Sequence, residues 1–548
     1  MKNISVKTNS KIAHGIETND ADEPPDKKSP TTITRTAREV AVFIRENLPT
    51  DIYAAKYQVA ENGGLPWRTA TELFPLSREI KNKINDLGPA LVKLHRALNN
   101  FYFLSANEPK LAAFSERQRE RIKFWRLILN HGKHPWTTSN PYSPQAELPL
   151  IIRPDLIILP DEKLMIAEID AEPWGWGELE VISRLYNQLG SEPYGEGIAH
   201  AFRQGLESLN ANRDGGYAIV ISEESAGTLP EMEELTRLLQ KENFSCAVIR
   251  PSEVTFKEDA ANKLWAINQR TGERIGVLYR AFELFDADRA FSSALPVATD
   301  WEKFKTEENF RRSLYEKQTM LGPETKSLTI GFCHQLMVCQ RQKTLTVVNP
   351  LRHYFEEKSL AAMIHDYELE PFWQNELGED YFFLRDLFPK SWVAHPSYRK
   401  LPQGAALRGA EDLPGCGIEE MILHPQAGDL LLKISGFNMA AWGCRSVAFL
   451  DTLSRTKREE LNKQIWADYG QGIVWLIQEA AQPKKLPVSY WNYSTDSPDS
   501  FSGYARINPY YFIINGRAHL SGVDATLRPA AEGRKVHLTS SAVYVPAG

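Results

Sequence analysis

The sequence predicts a mixed fold, α+β with an α/β portion, built from several lobes. Three observations point there. Helical periodicity dominates residues 37 to about 135, apolar strands alternate with amphipathic helices between 178 and 290, and the last 130 residues are rich in strands. With 548 residues, 42% of them hydrophobic and 24% charged, the chain has ample material for a large buried core.

The elements follow in order. Residues 1–36 are polar, rich in Asp, Asn, Lys, Ser and Thr, and are expected to be disordered. Residues 37–150 form a helical N-terminal region, from "TAREVAVFIRENL" through "RQRERIKFWRLILNHG", that ends in the proline-rich connection "KHPWTTSNPYSPQAELP". Residues 151–345 open with a hairpin and continue as a small parallel α/β domain, because "AHAFRQGLESLNAN", "GGYAIVIS", "LPEMEELTRLLQKEN" and "FSCAVIRPSEV" repeat a helix-strand rhythm. A helical bridge is expected at about 298–322. The strand "TLTVVNP" follows, then a helix carrying Leu351, Phe355, Leu360 and Met363 on one side. Residues 346–548 hold the strands "DLLLKISG", "GIVWLIQEAA", "ARINPYYFIING" and "AHLSGVDATLRP".

Charge and composition exclude several functions. A net charge of −6 leaves no basic field for nucleic acid or an anionic membrane. The basic stretch "ERQRERIKFWRLIL" (116–129) reads as the solvated face of a helix. Five cysteines, odd in number and unevenly spaced, do not make a disulfide framework and fit a reducing, cytoplasmic setting. No signal-type apolar core begins the chain, and no run approaches the roughly 20 apolar residues of a membrane span. A Walker loop, a nicotinamide fingerprint and a GxSxG elbow are all absent, and Cys333, His334 and Cys339 lack paired zinc spacing.

The chemistry concentrates in "RPDLIILPDEKLMIAEID" (153–170). A turn between Asp161 and Glu162 would oppose Asp155 to Glu168 and Arg153 to Asp170, all on one face. Opposed side chains have Cβ atoms about 4.5–5.5 Å apart, and like charges so placed need a neutraliser. Mg²⁺ takes hard oxygen ligands, and three carboxylates would fit one or two ions. A structural Arg-to-carboxylate network is the alternative. A merely solvated hairpin fits less well: the polar face continues through Ile157, Leu159, Leu164 and Ile166, and the reverse face carries Ile152, Leu156, Ile158, Met165 and Ile169. Both sides are therefore covered, and carboxylates there need partners.

A metal of this kind implies a polyphosphate. In "DLLLKISGFNMAAWGCRSV" (429–447) a strand bearing Lys433 runs into a loop of small residues, including Ser435, Gly436 and Gly443, whose amides can approach phosphate. Lys358 lies in "NPLRHYFEEKSLAAMI", and Glu479 ends an apolar strand where it could accept from a ribose or adenine group. Trp174 and Trp176 in "EPWGWGELE" cover a sheet edge or line a pocket.

These pieces, in this order, resemble the circularly permuted ATP-grasp proteins, among them the glutathionylspermidine synthetases. The likeness covers about 150–548. "RPD" supplies Arg153 and Asp155, and "EID" supplies Glu168 and Asp170, where the family usually has Asn at the last position. "EEK" supplies Lys358 but departs from the family's Asn-Lys at Glu357. Lys433 matches the strand lysine, and Gln478 with Glu479 matches the Gln-Glu strand end. No amidase half is implied, since its nucleophile is a cysteine near the start and the first cysteine here is Cys246.

The resemblance implies a preATP-grasp-like α/β domain beside nucleotide-binding lobes, with ATP and Mg²⁺ as cofactors. It implies an ADP-forming ligase that joins a small-molecule or peptide carboxylate to an amine through an acyl phosphate. Asp155, Glu168 and Asp170 would hold one or two Mg²⁺. Lys358, Lys433, Ser435, Gly436, Gly443, Gln478 and Glu479 would bind ATP, and Arg153 would stabilise developing charge. Arg528, in "VDATLRP", is a second catalytic candidate or a structural salt bridge. A small-molecule kinase on the same scaffold, or a binding protein without catalysis, are the competing readings.

Overall fold

The computed structural model describes residues 35–49, 52, 59–133, 148–210, 214–223, 225–287, 328–399, 417–424, 429–436, 438–441 and 443–548. The expected N-terminal disorder, the proline-rich connection, the 298–322 bridge and Cys416 lie outside, or almost wholly outside, these residues.

Asn515 and Gly516 sit consecutively in the left-handed region (φ 51° and 74°), the backbone that a two-residue hairpin turn requires. They join Ser497–Ile514 to Arg517–Pro529, the spine of a seven-stranded sheet. Its order is Lys485–Asn492, Arg68–Thr69, Val543–Pro546, Arg517–Pro529, Ser497–Ile514, Ile151–Ile158, Leu164–Asp170. Lys485–Asn492 also pairs with the first half of Ser497–Ile514, so five strands close into a ring that leaves no free edge among them. The second half of that long strand pairs with Ile151–Ile158, through Arg506 opposite Ile157 and Tyr511 opposite Ile152. The acidic hairpin is thus an extension of the sheet built mainly by residues 485–548.

The helix Arg78–Leu104, capped by the Ser77 hydroxyl accepting from the Ile80 amide, packs on this sheet. Gly88 lets it approach closely, since a Cβ there would stand 2.7 Å from the Tyr511 ring. His95 on this helix is buried, its Nδ1 2.8 Å from the Leu91 carbonyl and its ring 5.2 Å from that of Phe355. Burial lowers its imidazole from 6.5 to about 4, against the opposing pull of the Leu91 carbonyl. The sign follows: the unfolded chain takes up a proton below about 6.5 that the folded one refuses until about 4. The contribution of neutral His95 is complete above 6.5 and is lost as pH falls towards 4, by up to about 3 kcal/mol. Urea unfolding of wild type and His95→Leu at pH 7, 6 and 5 should show wild type losing ground steadily relative to the variant. Parallel pH profiles would count against this.

The expected parallel sheet is present, in the order Cys246–Ile249, Gly216–Ile221, Ile275–Ala281, Thr346–Val348, with every pairing parallel. Ile198–Asn210 and Leu229–Lys241 supply its helices. Trp176 is fully buried between this sheet and the larger one, against Phe202, Tyr279 and Phe512, and so is a core residue. The third sheet is antiparallel: Ser391–Val393, Trp475–Glu479, Leu430–Ile434, Ala448–Phe449.

One expectation holds in part and one needs correction. The basic helix Glu116–Asn130 keeps Arg117 and Lys123 in solvent, their side chains 70% and 51% exposed, but turns Arg121 to Asp366 and Arg126 to the Tyr102 carbonyl. The helix expected around Leu351–Met363 is split into the turn His353–Glu356 and the helix Leu360–Ile364. The amides of Lys358 and Ser359 donate instead to Ser435, at 3.1 and 2.9 Å, which breaks the helical ladder. Among the described residues, no helix is long and apolar enough to cross a membrane, and Cys246, Cys333, Cys339 and Cys444 are free.

Candidate active site

Asp161 and Glu162, both at positive φ (59° and 56°), turn the hairpin where expected. At its open end Arg153 opposes Asp170 and Asp155 opposes Glu168. Between Asp155 and Leu156 the register slips, so that Leu156 opposes Ile166 and Ile158 opposes Leu164. Ala167 is left without a partner, a bulge in the sense of an extra residue on one strand. The bulge corrects the expected face pattern. Leu164 and Ile166 join Leu156 and Ile158 in the main core, while Met165 and Ala167 lie beside Ile157. Leu164, Met165 and Ile166 alone change sides; the four polar side chains keep their shared face, and Ile152, Leu156, Ile158 and Ile169 keep the other.

Asp155, Glu168 and Asp170 each offer an oxygen, and these oxygens lie within 4.8 Å of one another. Asp155 is 1% exposed. Its Oδ2 is 2.6 Å from Arg506 Nη1, its Oδ1 accepts from Asn508 Nδ2 at 2.5 Å, and Arg153 Nε is 3.0 Å away. Arg153 also pairs with Asp170, and donates to the Trp174 carbonyl at 3.0 Å. Lys358 Nζ is 2.8 Å from Glu168 Oε2 and donates to the Ala441 carbonyl. Lys433 Nζ donates at 2.9 Å to the carbonyl of Ala167, the residue the bulge releases. The structure therefore gathers Arg153, Asp155, Glu168, Asp170, Lys358 and Lys433 from three chain segments.

Sequence reasoning missed Arg506 and Asn508, on one face of Ser497–Ile514, and Asp524, which opposes Asn508. The alternation of polar residues in the otherwise apolar "ARINPYY" was the available signal.

Burial sets the proton affinities, and neighbouring charges modify them. Burial pushes Asp170 up to about 7, Arg153 working against it while Glu168 and Asp155 reinforce it. Asp524 rises to about 7 for the same first reason, opposed by Arg506 and Arg153. For Glu168, burial is outweighed by Lys358 together with Arg153 and Arg506, and the carboxyl drops to about 2. Burial and the Lys358 charge bring Lys433 down to about 8. Burial raises Asp155 as well, against the opposing charges of Arg153 and Arg506, so Glu168 alone of the four acids is held below the usual carboxylate range.

These residues fit a divalent cation. The donors are all hard oxygens, and Asp524 Oδ1 and Asn508 Oδ1 are buried beside Asp155 with no hydrogen-bond partner. Asp155, Glu168 and Asp170 are the residues that would hold the ion.

The remaining predicted residues fall into two groups. Ser435 Oγ donates to Glu357 Oε2 at 2.6 Å, and Gly436 is pressed so close that a Cβ would stand 2.9 Å from the Glu356 carbonyl oxygen. Gly443 and Cys444, both at φ 58°, turn the same loop back. Gln478 opposes Leu431 and so shares a face with Lys433; it is buried, with Oε1 unpartnered. Glu479 is half-exposed on the other face, 3.8 Å from Lys390 Nζ. Arg528 donates to Glu532 at 2.9 Å and to the Lys535 carbonyl at 2.8 Å, and none of its hydrogen bonds reaches the acidic triad.

No family model matches the sequence, and no curated protein does. Among solved structures, a glutathione synthetase-like effector from Globodera pallida, in its apo form, matches at 12% identity and a TM-score of 0.51 over 93% of this chain and 95% of that one. A candidate gamma-glutamylcysteine synthetase from Methylobacillus flagellatus KT covers 82% of this chain and 88% of its own at 11% identity, but its TM-score of 0.32 adds nothing. What the first likeness establishes is the fold: this chain has the mixed α/β architecture of a glutathione synthetase-like protein.

Proposed function

We propose that this chain is an ATP-dependent carboxylate-amine ligase on a circularly permuted ATP-grasp scaffold, which activates an acid as its acyl phosphate and releases ADP and phosphate. One observation carries the reading: three mutually close carboxylates, Asp155 buried and Glu168 and Asp170 half-buried, are ringed by Arg153, Arg506, Lys358 and Lys433, the last two brought from a different sheet and its flanking turn. A metal-phosphate complex needs that alternation of hard oxygens and cations, and a structural salt bridge does not need four cations. Similarity in fold to a protein named for glutathione synthetase points the same way.

Bound at the triad, Mg²⁺ would neutralise phosphate charge. Lys433 and Lys358 would leave the Ala167 carbonyl and Glu168 to grip phosphate oxygens, while the loop carrying Ser435, Gly436 and Gly443 covers them. Gln478 and Glu479 would meet the nucleoside. Arg153, a planar fork held by Asp155, Asp170 and the Trp174 carbonyl, would stabilise charge on the transferred group. Arg528 is an anchor of its own turn.

ADP release measured over panels of acids and amines tests this. Wild type should release ADP only when an acid and an amine are both present, and Lys433→Ala should lower kcat/KM by about 10²-fold or more. A stable phosphorylated acid formed without amine would make the protein a kinase. Release unaffected by Lys433→Ala would remove the phosphate site.

A further inference from the structure

Lys133 lies three residues beyond the helix Glu116–Asn130 of the N-terminal region. Its Nζ lies 2.6 Å from Glu357 Oε1, and the two side chains are 3% and 4% exposed. The other oxygen of Glu357 accepts from Ser435 Oγ at 2.6 Å. Ser435 in turn accepts the Ser359 amide on its hydroxyl and the Lys358 amide on its carbonyl. One buried path of charge and hydrogen bonds thus runs from the N-terminal region to the first residue of the phosphate loop and to the backbone bearing Lys358.

The turn that delivers Lys133 is tightly seated. Gly132 (φ 69°) faces Gly472 so closely that a Cβ would stand 2.3 Å from Gly472 Cα. His131 stacks on Tyr469 with ring centroids 4.1 Å apart, and its Nε2 is 2.7 Å from the Tyr469 carbonyl. The cavity beside the pair, lined by Lys133, Glu357, Gly436, Asn438 and Val474 among others, is about 10 Å³, room for one water at most. Dehydrating two charges offsets most of what their attraction contributes, so such a pair is a poor device for stability. What it does provide is a carboxylate fixed in one place.

We infer that Lys133 is a positioning residue for the phosphate site. By fixing Glu357 it holds Ser435, and through Ser435 it sets both the loop and Lys358. The inference rests on the ligase reading for its kinetic consequence, and on geometry alone for its effect on the loop.

Three variants test it: Lys133→Met, Lys133→Arg, and Lys133→Met combined with Glu357→Gln, which removes the stranded charge. Lys133→Met should raise KM for ATP about tenfold or more while kcat changes less than about threefold. In nucleotide-free protein it should speed amide exchange in peptides spanning 433–446. Lys133→Arg should keep both readouts near wild type. The double variant should recover the melting temperature that the single variant loses, but neither KM nor exchange. Wild-type exchange in folded Lys133→Met overturns the inference, as does a double variant with wild-type KM and exchange, which would reduce Lys133 to charge balance. If wild type turns over no acid-amine pair, the ligase reading fails, and amide exchange still decides the role of Lys133.

Discussion

Asp155→Ala is expected to cut ADP release sharply and to destabilise the fold at once. The carboxylate holds Arg506 at 2.6 Å, Arg153 at 3.0 Å and Asn508 at 2.5 Å, all at a position 1% exposed. Arg153 keeps Asp170, but Arg506 loses the carboxylate it is bonded to. Breaking one side of a buried ion pair costs about 3–5 kcal/mol, a large part of the 5–15 kcal/mol that separates folded from unfolded states. Loss of one of three metal-capable oxygens should also lower kcat/KM by about 10²–10³-fold. Asp155→Asn separates the two effects, since it keeps the shape and an acceptor for the guanidinium: it should recover most of the melting temperature and little of the activity. An alanine variant that melts like wild type would show that these contacts do not hold the sheet together.

Gly132→Ala is expected to lower stability by about 2–5 kcal/mol, far more than a methyl group on a surface turn ordinarily does. Two causes add. A left-handed φ of 69° costs an alanine about 1–2 kcal/mol, and a methyl 2.3 Å from Gly472 Cα overpacks the contact by roughly 1–3 kcal/mol more. Gly190 isolates the first cause, because it too is left-handed (φ 87°) and a methyl group there would meet nothing within 4 Å. Gly190→Ala should therefore show the backbone cost alone in urea unfolding. Equal losses in the two variants would mean that the 132–472 contact relaxes without cost.

The acidic hairpin was legible because its four polar residues lie two apart on each strand, so any pairing that opposes Asp155 to Glu168 puts all four on one face. The bulge at Ala167 was not legible, since an extra residue leaves no mark in an apolar run, and it moved Leu164, Met165 and Ile166 to the opposite sides. The parallel sheet showed itself by alternation of strand and helix. Arg506, Asn508 and Asp524 escaped because pairing across about 350 positions has no local signature; Arg506 is 351 residues from Asp155. Glu357, which reads from sequence alone as a departure at a nucleotide motif, proves to carry its own counter-ion, Lys133, from a region that sequence reasoning left without a role. The helix expected across Lys358 failed for a related reason: Ser435, far downstream, outcompetes the helical carbonyls for two amides.

On the proposed ligase reading, the released carbonyl of Ala167 has a consequence for the speed of ligand capture. An ammonium group in water must shed its hydration shell before it can touch an anion. Lys433 was stripped of most of that shell when the chain folded, and it rests meanwhile on a neutral peptide oxygen at 2.9 Å, a weak hold that an incoming anion displaces with little rearrangement. The small kink in one strand thus keeps a cation dry, aimed and easily released.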